Sequence, residues 1–247
     1  MEVTQFSAQN RRAYQEDRSF FKITKTVGVL LGVFDGHGGK WVAEIASSAA
    51  PREFHSLSKE TKKDPDSTLL QIYNKLASLT NDHTCGSSAS IVWLKDNVAH
   101  IAVLGDSPVI IKDANGQIWK SPEHNVRTNL AEAQAAEARG GKISVNGYLF
   151  DKWQIDGPGL QMSRALGDRD LNRVLLREPE IFHIPVNENS WILICSDGLM
   201  DPSHIAGDTL PIVVDFIEKG ADAEDLVKAM ANIQRDDNST AVLVKLK

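Results

Sequence analysis

The sequence predicts an α+β fold, with strands in antiparallel groups and helices in pairs. Three observations carry this reading. Residues 88–120 break into short strand-like segments separated by turn-forming residues. Two runs, Val27 to Phe34 and Trp191 to Cys195, are almost wholly apolar and end in Asp-Gly pairs, the second after Ser196. Helical spacing recurs in neighbouring segments and does not alternate strictly with strands, as it would in a doubly wound parallel sheet.

Taken in chain order, the first clear element is the strand Val27 to Phe34, short, rich in β-branched residues and expected to be buried on both faces. It ends at Asp35-Gly-His-Gly-Gly39, after which Lys40 to Ser48 spaces Val42, Ile45 and Ala46 as a helix does. A second helix is expected over Ser67 to Leu79, with Asp66 or Ser67 as N-cap. Strands follow at Ser88 to Leu94, Val98 to Leu104, Val109 to Lys112 and Gln117 to Lys120, an antiparallel meander. The alanine-rich segment Asn129 to Arg139 stops at Gly140-Gly141 and reads as a helix. After the strand Trp191 to Cys195 come helical patterns over Leu210 to Lys219 and Ala223 to Ile233, then a closing strand, Thr240 to Lys245.

With 247 residues, 42% apolar and 24% charged, and no stretch that reads as a linker, a single domain over 1–247 is expected. A net charge of -6 disfavours nucleic acid or anionic lipid as a default partner. The longest apolar stretch is far short of the roughly 20 residues needed to span a bilayer. Met1 to Asp17 is polar where a secretory signal would be apolar, so a cytoplasmic location is expected. Cys85 and Cys195 lack metal or redox spacing and are expected to be reduced thiols in or near the core. The basic run Lys59 to Lys63 reads as a solvated loop.

Acidic residues recur where strands meet loops: Glu16 and Asp17, Asp35, Asp106, Asp197 with Asp201, and Asp236 with Asp237. Each alone is ordinary turn chemistry. If they converge, their mutual repulsion forces some to stay protonated unless cations are present, and oxygen-only donors suit magnesium or manganese better than zinc. Gly36 could add its carbonyl, because glycine lets the backbone approach an ion closely. Arg12 and His37 do not help to bind a hard cation. An arginine fork matches phosphate oxygens and a histidine can protonate a leaving alkoxide, so beside two metals they point to phosphate monoester hydrolysis. Taken singly, each has a plainer structural role, an exposed ion pair or a helix cap.

The chain resembles the PP2C-type (PPM family) metal-dependent serine/threonine protein phosphatases, in order and over nearly its whole length. The segments that carry the likeness are RAYQED at 12–17, VFDGHGG at 33–39, GSSAS at 86–90 with GDS at 105–107, SRALGD at 163–168, CSDGLMD at 195–201, and Asp237-Asn238. The resemblance implies a central β-sandwich of two antiparallel sheets flanked by helix pairs, a four-layer αββα arrangement. It also implies two magnesium or manganese ions and a weaker third. By likeness, Asp35 bridges the two metals, Asp197 and Asp237 complete the first, and Glu16 with the Gly36 carbonyl holds the second. Asp17 binds through water, and Asp106 and Asp201, with Asp197, make the third site. Arg12 holds the phosphate, His37 is the general acid, and a water between the two metals attacks phosphoserine or phosphothreonine of a protein substrate. The chain is expected to act as a monomer.

Two departures stand out. Pro108 follows GDS where the family commonly has arginine, and residues 141–160, with Tyr148, Trp153 and Pro158, match no firm pattern and fall where the family has a variable flap. Those aromatics either pack the flap onto the domain or take part in substrate choice. The competing functional reading is a catalytically silent relative that binds or scaffolds phosphoproteins; a phosphodiesterase is a weaker third.

Overall fold

The computed structural model describes residues 1–24, 27–57, 59, 61–153, 157, 159–200, 209–233 and 237–247. In chain order the strands begin with β1 (Glu2–Ala8), β2 (Arg18–Thr24), β3 (Gly28–Phe34) and the two-residue β4 (Gly36–His37). Helices α1 (Trp41–Ser56) and α2 (Pro65–Thr80) follow, then β5 (Gly86–Ser87), β6 (Ala89–Lys95), β7 (Val98–Leu104), β8 (Val109–Lys112) and β9 (Ile118–Lys120). Helix α3 (Leu130–Ala138) leads into the hairpin β10 (Gly141–Ile143) and β11 (Leu149–Asp151), then β12 (Leu166–Gly167), β13 (Glu180–Pro185) and β14 (Trp191–Cys195). The chain continues through α4 (Asp197–Met200), α5 (Leu210–Glu218), α6 (Ala223–Ile233) and β15 (Ser239–Lys245).

Two five-stranded antiparallel sheets form the centre, one in the order β1-β15-β14-β8-β9, the other β13-β7-β6-β3-β2. Successive side chains of a strand point to opposite faces. On β3, Val29, Leu31 and Val33 therefore meet Ile192, Ile194, Val242 and Val244 of the facing sheet. Leu30 and Phe34 turn outward and join Val42, Ala46, Leu69, Ile72 and Leu76 of α1 and α2. On the far side, Leu193, Cys195, Ala241 and Leu243 pack beneath Val213 and Ile217 of α5 and Leu226, Val227 and Met230 of α6. The result is helices, sheet, sheet, helices, and it explains why β3 and β14 are apolar along their whole length: each is covered on both faces.

Several local expectations are corrected. Helix α2 starts two residues earlier than expected: Pro65 occupies the first turn, and the Asp64 carboxylate accepts from the amides of Asp66 and Ser67, so Asp64 is the cap. Helix α1 runs on through Pro51 to Ser56 because its buried stripe, Val42, Ala46, Ala49, Ala50 and Phe54, continues past the proline. Lys62 is not simply solvated, since its ammonium donates to the carbonyls of His55 and Leu57. Strands β1, β2 and β13, all edges of their sheets, had no counterpart in the sequence reading. Both cysteines are free and buried, and burial pushes the Cys195 thiol well up. Among the described residues no helix is long and apolar enough to cross a membrane.

Candidate active site

Antiparallel pairing sets where the acidic residues fall. β3 and β7 both flank β6 and therefore run the same way, so Asp35 and Asp106 leave the same end of one sheet. Asp197 follows β14 and Asp237 precedes β15, its antiparallel neighbour, at the matching end of the other sheet. Asp17 immediately precedes β2, whose first residue, Arg18, pairs with Phe34. The turns thus open into one cleft of about 1200 Å³, lined by Arg12, Glu16, Asp35, Gly36, His37, Asp106, Asp197 and Asp237 among others. Asp17 sits behind it, buried, with Oδ2 accepting from Ser196 Oγ at 2.9 Å. Asp201 and Asp236 lie outside the described residues.

Asn238 explains how Glu16 is brought to Asp237. Its side-chain oxygen accepts from the Glu16 amide at 2.9 Å, and its amide group donates to the carbonyls of Gln9 and Tyr14. The loop before β2 is thereby tied to the start of β15. Arg12 closes the same junction with a two-pronged pair to Asp237, at 2.9 Å from Nε and 2.6 Å from Nη2.

Crowding of carboxylates shows in their proton affinities. Burial, then repulsion from Asp17, Asp197, Asp106 and Asp237, holds Asp35 well above the usual carboxylate range. Burial pushes Asp17 up to about 6, against hydrogen bonds from Thr240 and Ser196, while Asp197 adds repulsion. Asp106 rises to about 7 through burial and the charge of Asp197. Asp17 Oδ1 is buried with no hydrogen-bond partner. An all-oxygen donor set, an unsatisfied buried carboxylate oxygen and carboxyls that resist ionising together fit hard divalent cations. Asp106 keeps its place beside Pro108: its Oδ2 accepts from Asn125 at 3.0 Å.

His37 has a partner that the sequence did not reveal. Its Nε2 lies 2.9 and 2.8 Å from the two carboxylate oxygens of Asp168, the last residue of the SRALGD segment. Burial alone would lower the imidazole, but the hydrogen bond and charge of Asp168 outweigh it and the proton affinity is raised. The short strands β4, β5 and β12 form a three-stranded ribbon that places Gly86 between His37 and Gly167. A Cβ at Gly86 would stand 2.0 Å from Asp168 Oδ2 and 2.4 Å from His37 Nε2, so the pair rests on a bare glycine backbone. Asp168 itself takes a left-handed conformation, φ 50°. Its backbone is pinned by its amide N–H, which donates to the Cys85 carbonyl, and Arg177 donates to the carbonyls of Ala165 and Gly167.

A buried ionic network braces the cleft wall. Arg164 Nη2 reaches Glu132 Oε1 at 2.6 Å and Glu180 Oε1 at 3.2 Å, and Ser163 Oγ donates to the other oxygen of Glu132. His124 Nε2 is 3.4 Å from Glu180, while its Nδ1 accepts from the Gly105 amide at 3.0 Å, next to Asp106. Among the described residues, His124, Glu132 and Glu180 are the group of metal-capable side chains with mutually close ligand atoms. Arg164 already bridges the two carboxylates, so its guanidinium serves the role a cation would.

The segment expected as a flap contains the hairpin β10–β11, whose tip, Ser144 to Tyr148, lines the cleft. Trp153 is 73% exposed and so does not pack the flap down, whereas Leu149 and Leu160 are buried beneath it. Pro158 lies outside the described residues.

A four-layer sandwich with a carboxylate-rich cleft at one end, flanked by a histidine–aspartate pair, defines the class. A family model for protein phosphatase 2C matches residues 3–237. Protein phosphatase 1L of Bos taurus is 30% identical over 221 residues, covering 81% of this chain and 59% of that protein. The chain spans 50–64% of the length of that and three similar plant relatives. Among solved structures, a serine-threonine phosphatase 2C from Toxoplasma gondii superposes with a TM-score of 0.80 at 20% identity, over 99% of this chain and 94% of that one. The catalytic domain of the serine threonine protein phosphatase PstP, solved with two manganese ions, has a TM-score of 0.63 at 16% identity, over 98% and 96%. The chain belongs to the protein phosphatase 2C family, and its four-layer architecture is the fold of that family.

Proposed function

We propose that this chain hydrolyses phosphoserine and phosphothreonine in proteins, using magnesium or manganese. The observation that carries this reading is the gathering of Asp35, Asp106, Asp197, Asp237 and Glu16 in one cleft with His37 and Arg12. Asp35, Asp197 and Asp237 would hold one cation, and Asp35, Glu16 and the Gly36 carbonyl a second. Asp17 would act through water, and Asp106 with Asp197 and Asp201 would serve a weaker third. Bound there, the cations lower the pKa of a coordinated water and offset charge on the phosphoryl oxygens.

The chain's own residues do the rest. Arg12 turns its planar fork from Asp237 toward the phosphoryl oxygens, a geometry it matches in two places. His37 passes a proton to the departing serine or threonine oxygen, and Asp168 favours the imidazolium that can donate it. Asp168 touches His37 and not the substrate, so it is a positioning residue. Action in the cytoplasm, as a monomer, belongs to the same proposal.

Phosphate release from a phosphothreonine peptide, with manganese, magnesium or EDTA, tests this in wild type and Asp197→Asn. Metal-dependent release that is lost in the variant and in EDTA is expected. No release from wild type across several phosphopeptides, despite bound metal, would turn the reading to a silent phosphoprotein-binding relative.

A further inference from the structure

A second cluster of ligating side chains lies apart from the cleft, on the helix-covered face of the other sheet's edge. His183 of β13 and His100 of β7 are directly opposed in the antiparallel register. Their Nδ1 atoms are 2.8 Å apart, and the rings meet at 71°. Asp66, in the first turn of α2, places Oδ1 2.8 Å from His183 Nε2. None of the three lines the cleft.

The protonation pattern follows from these contacts. A carboxylate beside Nε2 of His183 keeps the ring proton there and leaves Nδ1 with a free lone pair, the arrangement an outer carboxylate imposes on metal-bound histidines. The Nδ1–H of His100 then points at that lone pair. If His100 releases this proton to water and takes one up at Nε2, a second lone pair is freed beside the first with no net change in charge, and a rotation of both rings turns the two toward an ion lying off the line between the nitrogens. Burial, the positive charge that His183 would carry if it were itself protonated, and Lys95 lower the proton affinity of His100, while Asp66 and Asp96 act the other way. The lowered affinity keeps His100 neutral and able to ligate near neutral pH.

Distance selects the ion. Nitrogens about 2.0–2.1 Å from a metal and 2.8 Å from each other subtend roughly 84–89° at it. That is the angle between neighbouring ligands in square-planar or octahedral coordination, well short of the tetrahedral angle zinc prefers. We propose that His100 and His183 form a surface site for a transition-metal dication, Cu²⁺ or Ni²⁺ ahead of Zn²⁺, with Asp66 orienting His183. Such an ion would tie the edge strand β13 to β7, and through Asp66 to α2.

The test uses the full chain in saturating magnesium, which occupies the oxygen-rich cleft, titrated with Cu²⁺ and followed by electron paramagnetic resonance and calorimetry. The expected result is one equivalent bound with two-nitrogen hyperfine structure. His100→Gln and His183→Gln should each weaken binding at least tenfold, and Asp66→Asn by about 10- to 100-fold. All three positions are at least partly exposed, and unfolding midpoints in EDTA close to wild type would show that the variants fold. Identical titrations for wild type and the double histidine variant would overturn the site, as would a copper signal from oxygen ligands alone. Unchanged affinity in Asp66→Asn would remove Asp66 from it.

Discussion

Gly86→Ala is the sharpest test of how the histidine is held. Gly86 lies between His37 and Gly167 in the ribbon, and a methyl group there would meet Asp168 Oδ2 at 2.0 Å and His37 Nε2 at 2.4 Å. Ordinary contact begins at about 3.4 Å, so both groups must retreat by 1 Å or more. The backbone of Gly86 is not among those with positive φ, so alanine is admissible there and only the two side-chain ends must move. The expected cost in stability is accordingly modest, about 1–3 kcal/mol for local overpacking. Catalysis should suffer far more, because a misplacement of about 1 Å at a reacting group costs on the order of 100-fold. The assay is kcat and KM on a phosphothreonine peptide with saturating manganese, alongside a urea unfolding curve. A kcat about 100-fold down with KM within threefold is the expected pattern. The effect should shrink in an Asp168→Ala background, where most of the clash is gone. Wild-type kcat in Gly86→Ala would refute the idea that the His37–Asp168 geometry is needed at all.

Three further outcomes are expected. Burial pushes Glu132 up, but Arg164 and Ser163 more than offset it and hold the carboxyl below its usual range. Its stabilisation is therefore complete above the ordinary glutamate value of about 4.3 and lost as pH falls through the lower folded value. Glu132→Gln should cost about 3 kcal/mol at pH 7 in urea unfolding, with the gap to wild type narrowing only in acid. Tyr73 is fully buried with its hydroxyl 2.8 Å from the carbonyls of both Ala89 and Ala102, so Tyr73→Phe should lose about 1–3 kcal/mol and leave kcat unchanged. Asp35→Asn should raise the melting temperature in EDTA, because it removes a carboxyl whose ionisation is opposed by burial and by Asp17, Asp197, Asp106 and Asp237. The same variant should lose the further rise that manganese gives wild type; a lower melting temperature in EDTA would contradict the crowding described here.

What could be read from sequence, and what could not, divides along physical lines. β3 and β14 were legible because each is covered by a sheet on one face and helices on the other, which forces apolar residues at every position. Edge strands carry no such mark: β2 exposes Phe21 and Ile23 while Lys22 lies between them, and its pairing with β3 is set by tertiary context. The run of α1 beyond Ser48 was not read from the spacing of its first turns, and it is the packing of Phe54 that carries the helix on past Pro51. For the site, the family likeness supplied the residue roles, but Asp-Gly in turns is too common to prove convergence. Asp168 was quoted in a motif without a role, since its partner His37 is 131 residues distant and no local pattern joins them. The network of Glu132, Arg164 and Glu180 went unassigned for the same reason, although Arg164 stands in the same quoted motif.

The position of β15 has a consequence for when the cleft comes into being. This last strand lies between β1 and β14, pairing with β1 from Glu2 to Ala8, so the first strand has no neighbour in its sheet until β15 is made. Asp237 and Asn238 arrive with it, and with them the partner of Arg12 and the tether of Glu16. A nascent or truncated chain that stops short of β15 therefore carries most of the acidic residues but no assembled cleft. Synthesis of β15 is therefore the step that lets the cleft assemble, and a fragment cut before β15 lacks the strand that brings Asp237 to Arg12.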